Sequence, residues 1–361
     1  MRGHVNRNLI VAINEQTGDL YSDVNVKFTI DQQDHNAYAT AAAFLNSSEA
    51  DVISVQHEYG IFGGDWGEYV VDLYQGLTKP IVTTLHTVLS DPPEKARSIL
   101  HDICAMSSSV IVTLESAANL LEEVYGVERS KIHVVRHGTA LPERVRNLYA
   151  KRQLGFQDRE ILATFGLISP GKGIEHAIRA MSYLVKERPR LLYLVIGETH
   201  PEVRRHLGES YRESLVALVK RLKLGRNVRF IDSYLRDDQL SLYLQATDVY
   251  VAPYLGKEQV SSGTLTLALG HGKAIVSTPT VFAKEILSHN RGLFCKFANA
   301  RSIAICVERI LGEPELRKHL ETNAFKYGQE VGWARVADCY GEIFRSAMRP
   351  TRAVSEAATI R

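Results

Sequence analysis

Short, unbroken runs of apolar and β-branched residues recur along the whole chain, and stretches with helical spacing sit between nearly all of them. The runs are Leu9–Ile13, Val26–Ile30, Val52–Val55, Ile81–Leu85, Val110–Thr113 and Ile132–Val135, then Ile161–Phe165, Leu191–Ile196, Val228–Ile231, Val249–Ala252, Ala274–Ser277 and Leu293–Cys295. Most lack the alternation of a strand with one wet face, which predicts strands buried on both sides in parallel sheets. Helices are expected over Asn36–Leu45, Glu94–Met106, Ser116–Tyr125, Ile174–Lys186, Tyr211–Leu222 and Asp238–Ala246. Strands alternating with helices give an α/β architecture with right-handed crossovers.

The chain has 361 residues, which at ~150 residues per domain is room for roughly two domains. Similar numbers of runs in each half point to two Rossmann-like domains facing each other across a cleft. A (β/α)8 barrel is the second reading, since ~250 residues normally suffice for it. The stretch Pro142–Gln157 has no apolar strand and gathers Arg and Lys, so it marks the boundary. The expected layout is 1–145, 146–325, a final helix over 326–348 and a tail over 349–361. Hydrophobic residues at 45% and charged residues at 23% supply two cores and exclude a disordered or disulfide-stapled chain. A net charge of +2 gives no footprint for nucleic acid. Cys104, Cys295, Cys306 and Cys339 form no CxxC pair, so neither a zinc site nor a disulfide framework is expected and a reducing cytoplasm is the expected setting. No apolar run approaches the ~18 residues of a membrane span, and the start MRGHVNRN has no signal-peptide core.

In open parallel sheets, ligands bind outside the carboxyl ends of the strands, so chemistry must come from those ends. Strand Ile161–Phe165 runs into Gly166-Leu167-Ile168-Ser169-Pro170-Gly171-Lys172-Gly173 and then a helix. Glycines admit close backbone approach, a helix N-terminus favours an anion, and Lys172 adds a full charge. A Walker A loop would need Ser or Thr where Gly173 stands. The alternative is an ordinary connection with a solvated lysine. After strand Val249–Ala252, the turn Ser262-Gly263-Thr264 opens a second helix at about Leu265, with hydroxyls that serve either as caps or as ligands. Two such entries together could grip a diphosphate. Gly197 and Tyr234 end two further strands, where they either flank a ligand or simply turn the chain.

The first half brings groups suited to a sugar. Strands on one sheet end at His57, His86 and His137, with Glu58 and Trp66 in the loop after the first of them. Their spacing is not that of a metal site, and hydrogen bonding to hydroxyls and to developing charge is the better reading.

These residues resemble the family-4 retaining glycosyltransferases of the GT-B fold, over nearly the whole chain. The resemblance rests on TTLHT (83–87), VVRHG (134–138), FGLISPGKG (165–173), DVYVAPY (248–254) and SSGTLTLALGHGKAIVSTP (261–279). The last of these and QHEYGIFGG (56–64) look specific to one bacterial subgroup. VGWARVADCYGEIF (331–344) looks like the family's C-terminal helix, which crosses back to the first domain. The resemblance implies transfer of a hexosyl group from a UDP- or GDP-hexose to a glycan or glycoconjugate acceptor, with retention, without metal and without a cofactor. It implies that Lys172 contacts the donor diphosphate, and that Gly166, Gly197, Tyr234, Gln259, Ser262, Gly263, Thr264 and Leu265 line the donor site. His86 falls near the transferred sugar with Glu58 beside it, and His57, Trp66 and His137 on the acceptor side.

Three departures stand out. Leu167 occupies a position where the family commonly has Arg, and Gln259 and Leu267 replace its pair of glutamates. The family opens with a strand, a Gly-rich loop and a helix, whereas this chain is expected to enter at the second strand, Leu9–Ile13. A catalytically impaired sugar-nucleotide-binding protein is therefore the alternative. A sugar-nucleotide epimerase is a third reading, which needs a carboxylate pair where only Glu58 offers itself.

Overall fold

A computed structural model describes residues 8–15, 23–143 and 145–349. Each apolar run forms a strand, with ends shifted by a residue or two where runs and hydrogen bonding differ: β1 (Ile10–Asn14), β2 (Val26–Asp31), β3 (Ile53–His57), β4 (Ile81–Leu85), β5 (Ser109–Val112), β6 (Ile132–Val134), β7 (Glu160–Phe165), β8 (Leu191–Ile196), β9 (Val228–Ile231), β10 (Val249–Ala252), β11 (Ala274–Ser277) and β12 (Leu293–Phe294). The chain divides into two compact units, one of residues 1–136 with 336–361 and one of residues 137–335.

The first unit carries α1 (His35–Ser47), α2 (Val70–Gly76), α3 (Glu94–Met106) and α4 (Glu115–Glu123). Its strands form a four-stranded parallel sheet in the order β3-β4-β5-β6 and a separate parallel pair, β1-β2, rather than one six-stranded sheet. Among the described residues, side chains and loops join the two sheets. Gln32, after β2, donates through Nε2 to the Gly60 carbonyl at 3.3 Å, and the Tyr38 hydroxyl bridges the Gln32 carbonyl and the Gly63 amide.

The second unit carries α5 (Asn147–Gln153), α6 (Ile174–Leu184), α7 (Pro201–Leu207), α8 (Ser210–Arg221), α9 (Asp237–Ala246), α10 (Gly263–Gly270), α11 (Val281–Ile286), α12 (Ala300–Gly312), α13 (Pro314–Glu330) and the start of α14 (Trp333–Ala347). Its six parallel strands run in the order β12-β11-β10-β7-β8-β9. The core is built from Leu162, Tyr193 and Val195 of the sheet against Ile178 and Met181 of α6 and Ile303, Val307 and Ile310 of α12. Each fully buried aliphatic side chain contributes about 1.5–3 kcal/mol.

The basic stretch Pro142–Gln157 is not the point where the units part. The chain joins the second unit at His137, because the Thr139 amide donates to the Val331 carbonyl, Trp333 donates back to Thr139, and Gly138 lies under the Trp333 ring. The far part of α14 packs on the first unit, where Val336, Ile343 and Phe344 share a core with Val82, Ile111 and Val135. Residues 350–361 of the expected tail lie outside the described residues.

Candidate functional site

The strand order of the second unit reverses direction between β7 and β10, and such a switch point opens a crevice at the carboxyl ends of the two strands. Both loops singled out in the sequence leave from it. Beyond β7, Gly173 has φ 63° and a Cβ there would lie 2.2 Å from the Pro253 carbonyl, so the position that a Walker A loop would give to Ser or Thr accepts only glycine. Gly197, at the end of β8, has φ 134°, and a Cβ would sit 2.3 Å from the Gly166 carbonyl. Buried Arg212 holds that strand end from below, donating to the Gly197 carbonyl at 2.7 Å and to Thr199 Oγ1 at 3.2 Å.

Lys172 Nζ stands 3.6 Å from where a Gly166 Cβ would be and 4.9 Å from the centroid of the Tyr254 ring. No carboxylate among the described residues pairs with it. The Tyr254 hydroxyl, wholly buried at the exit of β10, lies 2.6 Å from Thr264 Oγ1 and 3.1 Å from Ser262 Oγ. Burial pushes the Tyr254 phenol up, but the Lys172 ammonium and the hydroxyls of Ser262 and Thr264 outweigh it and hold the phenol below its usual value. Ser262 caps α10 by accepting from the Leu265 amide at 3.3 Å, which leaves the first-turn amides of Gly263 and Thr264 without intrahelical acceptors. The cluster of one ammonium, two hydroxyls and a helix start suits an anion.

Most of the expected donor-side residues converge here: Gly166, Lys172, Gly197, Ser262, Gly263 and Thr264. Three do not. The Leu265 side chain is fully buried and its amide is taken by the cap. Tyr234 is 81% exposed, its amide on Glu198. The Gln259 amide folds back to the Ser261 carbonyl at 2.9 Å. Tyr254, at the centre of the cluster, was given no role from sequence. No sequence signal separates a tyrosine whose hydroxyl meets Ser262 and Thr264 from one whose hydroxyl meets water.

His137 belongs to this unit and not with His57 and His86. Its ring lies by α10, with Cε1 3.7 Å from where a Gly263 Cβ would be. Its Nδ1 is 2.8 Å from the Gly138 carbonyl, which can only accept, so Nδ1 carries the proton.

In the first unit, β3 and β4 are neighbours, and the His86 amide donates to the His57 carbonyl at 3.0 Å. The His57 side chain does not reach solvent. It is fully buried, stacked on Phe62 and edge-on to Tyr59, and neither ring nitrogen has a partner among the described residues. Burial, helped by nearby His86, pulls it down to about 4. His86 is half-buried, its Nε2 3.0 Å from Gln56 Oε1. Glu58 accepts from the Tyr59 amide at 3.1 Å and from the Thr87 hydroxyl at 2.7 Å. Trp66 is 37% exposed, with a left-handed backbone at φ 60° and its ring edge-on to Tyr59. Lys95 pairs with Asp65 and Glu68 and braces the loop that presents it. Among the described residues no three His, Cys, Asp or Glu side chains gather as a metal site would require.

The sequence profile of the glycosyl transferases group 1 family matches residues 147–327, half of the chain, and the chain belongs to that family. Among curated proteins it is 24% identical over 299 residues to a D-inositol 3-phosphate glycosyltransferase of Kineococcus radiotolerans, covering 75% of this chain and 67% of that one. A Streptomyces bingchenggensis protein of the same description is 25% identical, over 76% of this chain and 63% of its own length, so the chain spans about two thirds or less of these relatives. An uncharacterized glycosyltransferase of Methanocaldococcus jannaschii is 24% identical, with 87% of this chain and 83% of that one covered. Among solved structures, a Rickettsia africae glycosyltransferase superposes with a TM-score of 0.72 at 16% identity, over 94% and 90% of the chains. Anabaena HepE, solved with UDP, gives 0.70 at 17%, over 88% and 85%. These likenesses establish the fold class, α/β with two Rossmann-like units of the GT-B type. No helix among the described residues is long and apolar enough to cross a membrane.

Proposed function

We propose that the chain is a family-4 retaining glycosyltransferase that moves a hexosyl group from a UDP- or GDP-hexose to a glycan or glycoconjugate acceptor without a metal ion. The observation that carries this reading is the Lys172 ammonium, which has no carboxylate partner among the described residues and stands at the β7/β10 switch point beside Gly166 and the hydroxyls of Ser262 and Thr264. A group so placed meets the charge that develops on a leaving nucleoside diphosphate, which elsewhere falls to a bound cation. In the first unit, His86 is the candidate for the transferred sugar, Glu58 for hydroxyl contacts and Trp66 for the acceptor.

The test is to supply UDP- and GDP-hexoses with candidate acceptors and follow release of the diphosphate and the anomeric configuration of the product. Retention, undiminished by a chelator, is expected; inversion or dependence on a divalent ion would overturn the mechanism. Replacement of Lys172 by alanine should weaken binding of the nucleoside diphosphate by about 1.5–3 kcal/mol, the cost of losing a charged hydrogen bond, as read by calorimetry. An unchanged affinity would remove Lys172 from the site.

One observation favours the alternative, a sugar-nucleotide-binding protein without turnover. Leu167 is 38% exposed where the family commonly carries Arg, so that cation is absent from the loop. Donor binding with no release of diphosphate in the presence of any acceptor decides for it.

A further inference from the structure

We infer that Tyr254 is the positioning residue of the anion-binding cluster in the second unit: its ring face carries the Lys172 ammonium and its hydroxyl fixes those of Ser262 and Thr264. This deepens the donor reading given above and rests on it. The three groups come from two loops with no other polar tie among them except the 3.2 Å contact between Ser262 Oγ and Thr264 Oγ1. Tyr254 touches all of them, at 4.9 Å from the ring centroid to Lys172 Nζ, 3.1 Å to Ser262 Oγ and 2.6 Å to Thr264 Oγ1.

Its own place is secured independently. The Tyr254 carbonyl accepts from Thr278 Oγ1 at 2.7 Å, and the next amide, that of Leu255, donates to the Gly171 carbonyl at 3.0 Å. A lysine on a flexible stem loses conformational freedom when it binds an anion, and a ring beneath it that restricts the ammonium beforehand lowers that cost. The backbone that carries the phenol is thus tied to the segment just after β11 and to the Lys172 loop, and the side chain holds the cluster in one arrangement before any ligand arrives.

Two replacements separate the functions of the side chain. Tyr254→Phe keeps the ring under Lys172 and drops the hydroxyl; Tyr254→Leu drops both. Calorimetric titration with UDP, GDP and ADP is expected to show affinity reduced several-fold in Tyr254→Phe. In Tyr254→Leu the loss should match that of Lys172→Ala, roughly tenfold or more. The Tyr254→Leu/Lys172→Ala pair should bind more weakly than Lys172→Ala alone only by the several-fold loss seen in Tyr254→Phe, because the part of Tyr254 that acts through Lys172 is already gone. Losses that multiply in the pair, or a Tyr254→Phe protein that binds as tightly as the unaltered chain, would overturn the inference.

A second measurement needs no ligand. Unfolding midpoints of Tyr254→Phe, Thr264→Val and their combination should be non-additive if the 2.6 Å contact fixes Thr264, and additive midpoints would refute that. If the unaltered protein binds none of the three nucleotides, the donor reading fails, and this cycle still decides whether Tyr254 organises the cluster.

Discussion

Replacing Asp248 with alanine is expected to destabilise the second unit by about 3–5 kcal/mol, the cost of breaking a buried pair from one side. The Asp248 carboxylate is 4% exposed and accepts from Lys151 Nζ at 2.6 Å, from the Ile161 amide at 2.7 Å and from Arg317 Nη2 at 3.0 Å. Lys151, itself 9% exposed, would be left as an uncompensated buried charge. The site explains why the loss is large. Asp248 immediately precedes β10, Ile161 lies in β7, Lys151 comes from α5 and Arg317 from α13, so one carboxylate ties together the two strands whose ends form the switch point and two of the helices beside them. Removing both charges with Lys151→Met and Asp248→Leu should recover part of the loss, because no bare Lys151 ammonium is left buried, although the Ile161 amide and Arg317 still lose their acceptor. Urea denaturation of the natural chain and the two variants measures this, and an Asp248→Ala cost below about 1 kcal/mol would show that the network is not what holds β7 to β10.

Acidification should weaken the first unit through His57. The native ring is held at about 4, whereas the ordinary value of histidine is near 6.5. As pH falls below 6.5 the unfolded chain takes up a proton that the folded chain refuses, so stability is complete above that value and declines until about pH 4. The full effect is about 3 kcal/mol, with about 2 kcal/mol of it reached by pH 5. Replacing His57 with phenylalanine keeps an aromatic ring against Phe62 and Tyr59 while removing both unpartnered nitrogens. The variant should therefore be more stable than the natural chain at pH 5 by about 2 kcal/mol. Denaturation of both proteins at pH 7 and pH 5 tests it; an identical dependence on pH in the two would place the titrating group elsewhere. His271, in the second unit, is held down to about 4 by burial against the opposing pull of its bond to the Leu267 carbonyl, and gives that unit a decline over the same range.

The strands were legible because a residue buried on both faces of a parallel sheet leaves a continuous apolar run, and all twelve runs are strands. The glycine-bearing loops were legible for a similar reason, since few other residues fit where backbones approach as closely as Gly173 and Pro253 do. His57 was misplaced by two residues of strand. The run Val52–Val55 ends in sequence at Val55, which leaves His57 in the residues after it, whereas β3 continues to His57, and Ile53, Val55 and His57 share its buried face while Ser54 and Gln56 are exposed. The period-two pattern was present in the sequence, but its last member is a polar residue. His137 was misplaced for a different reason. A basic, strand-free stretch suggests a linker, but the pairing of Thr139 with Gly332 spans nearly two hundred residues and leaves no local trace. The burial of Tyr254 was likewise invisible, because a phenol that closes a strand reads the same whether its hydroxyl meets water or two neighbouring side chains.

The glycosyltransferase account depends on the second unit holding a nucleoside diphosphate at the β7/β10 switch point. The direct test is the thermal stability of the purified chain with UDP, GDP or ADP, alone and as sugar conjugates. At a hundred times its dissociation constant a ligand adds about 2.7 kcal/mol to the native state. The account predicts a clear upward shift with one nucleotide and its conjugates, much reduced by Lys172→Ala. A well-folded protein that shows no shift with any of them would contradict it.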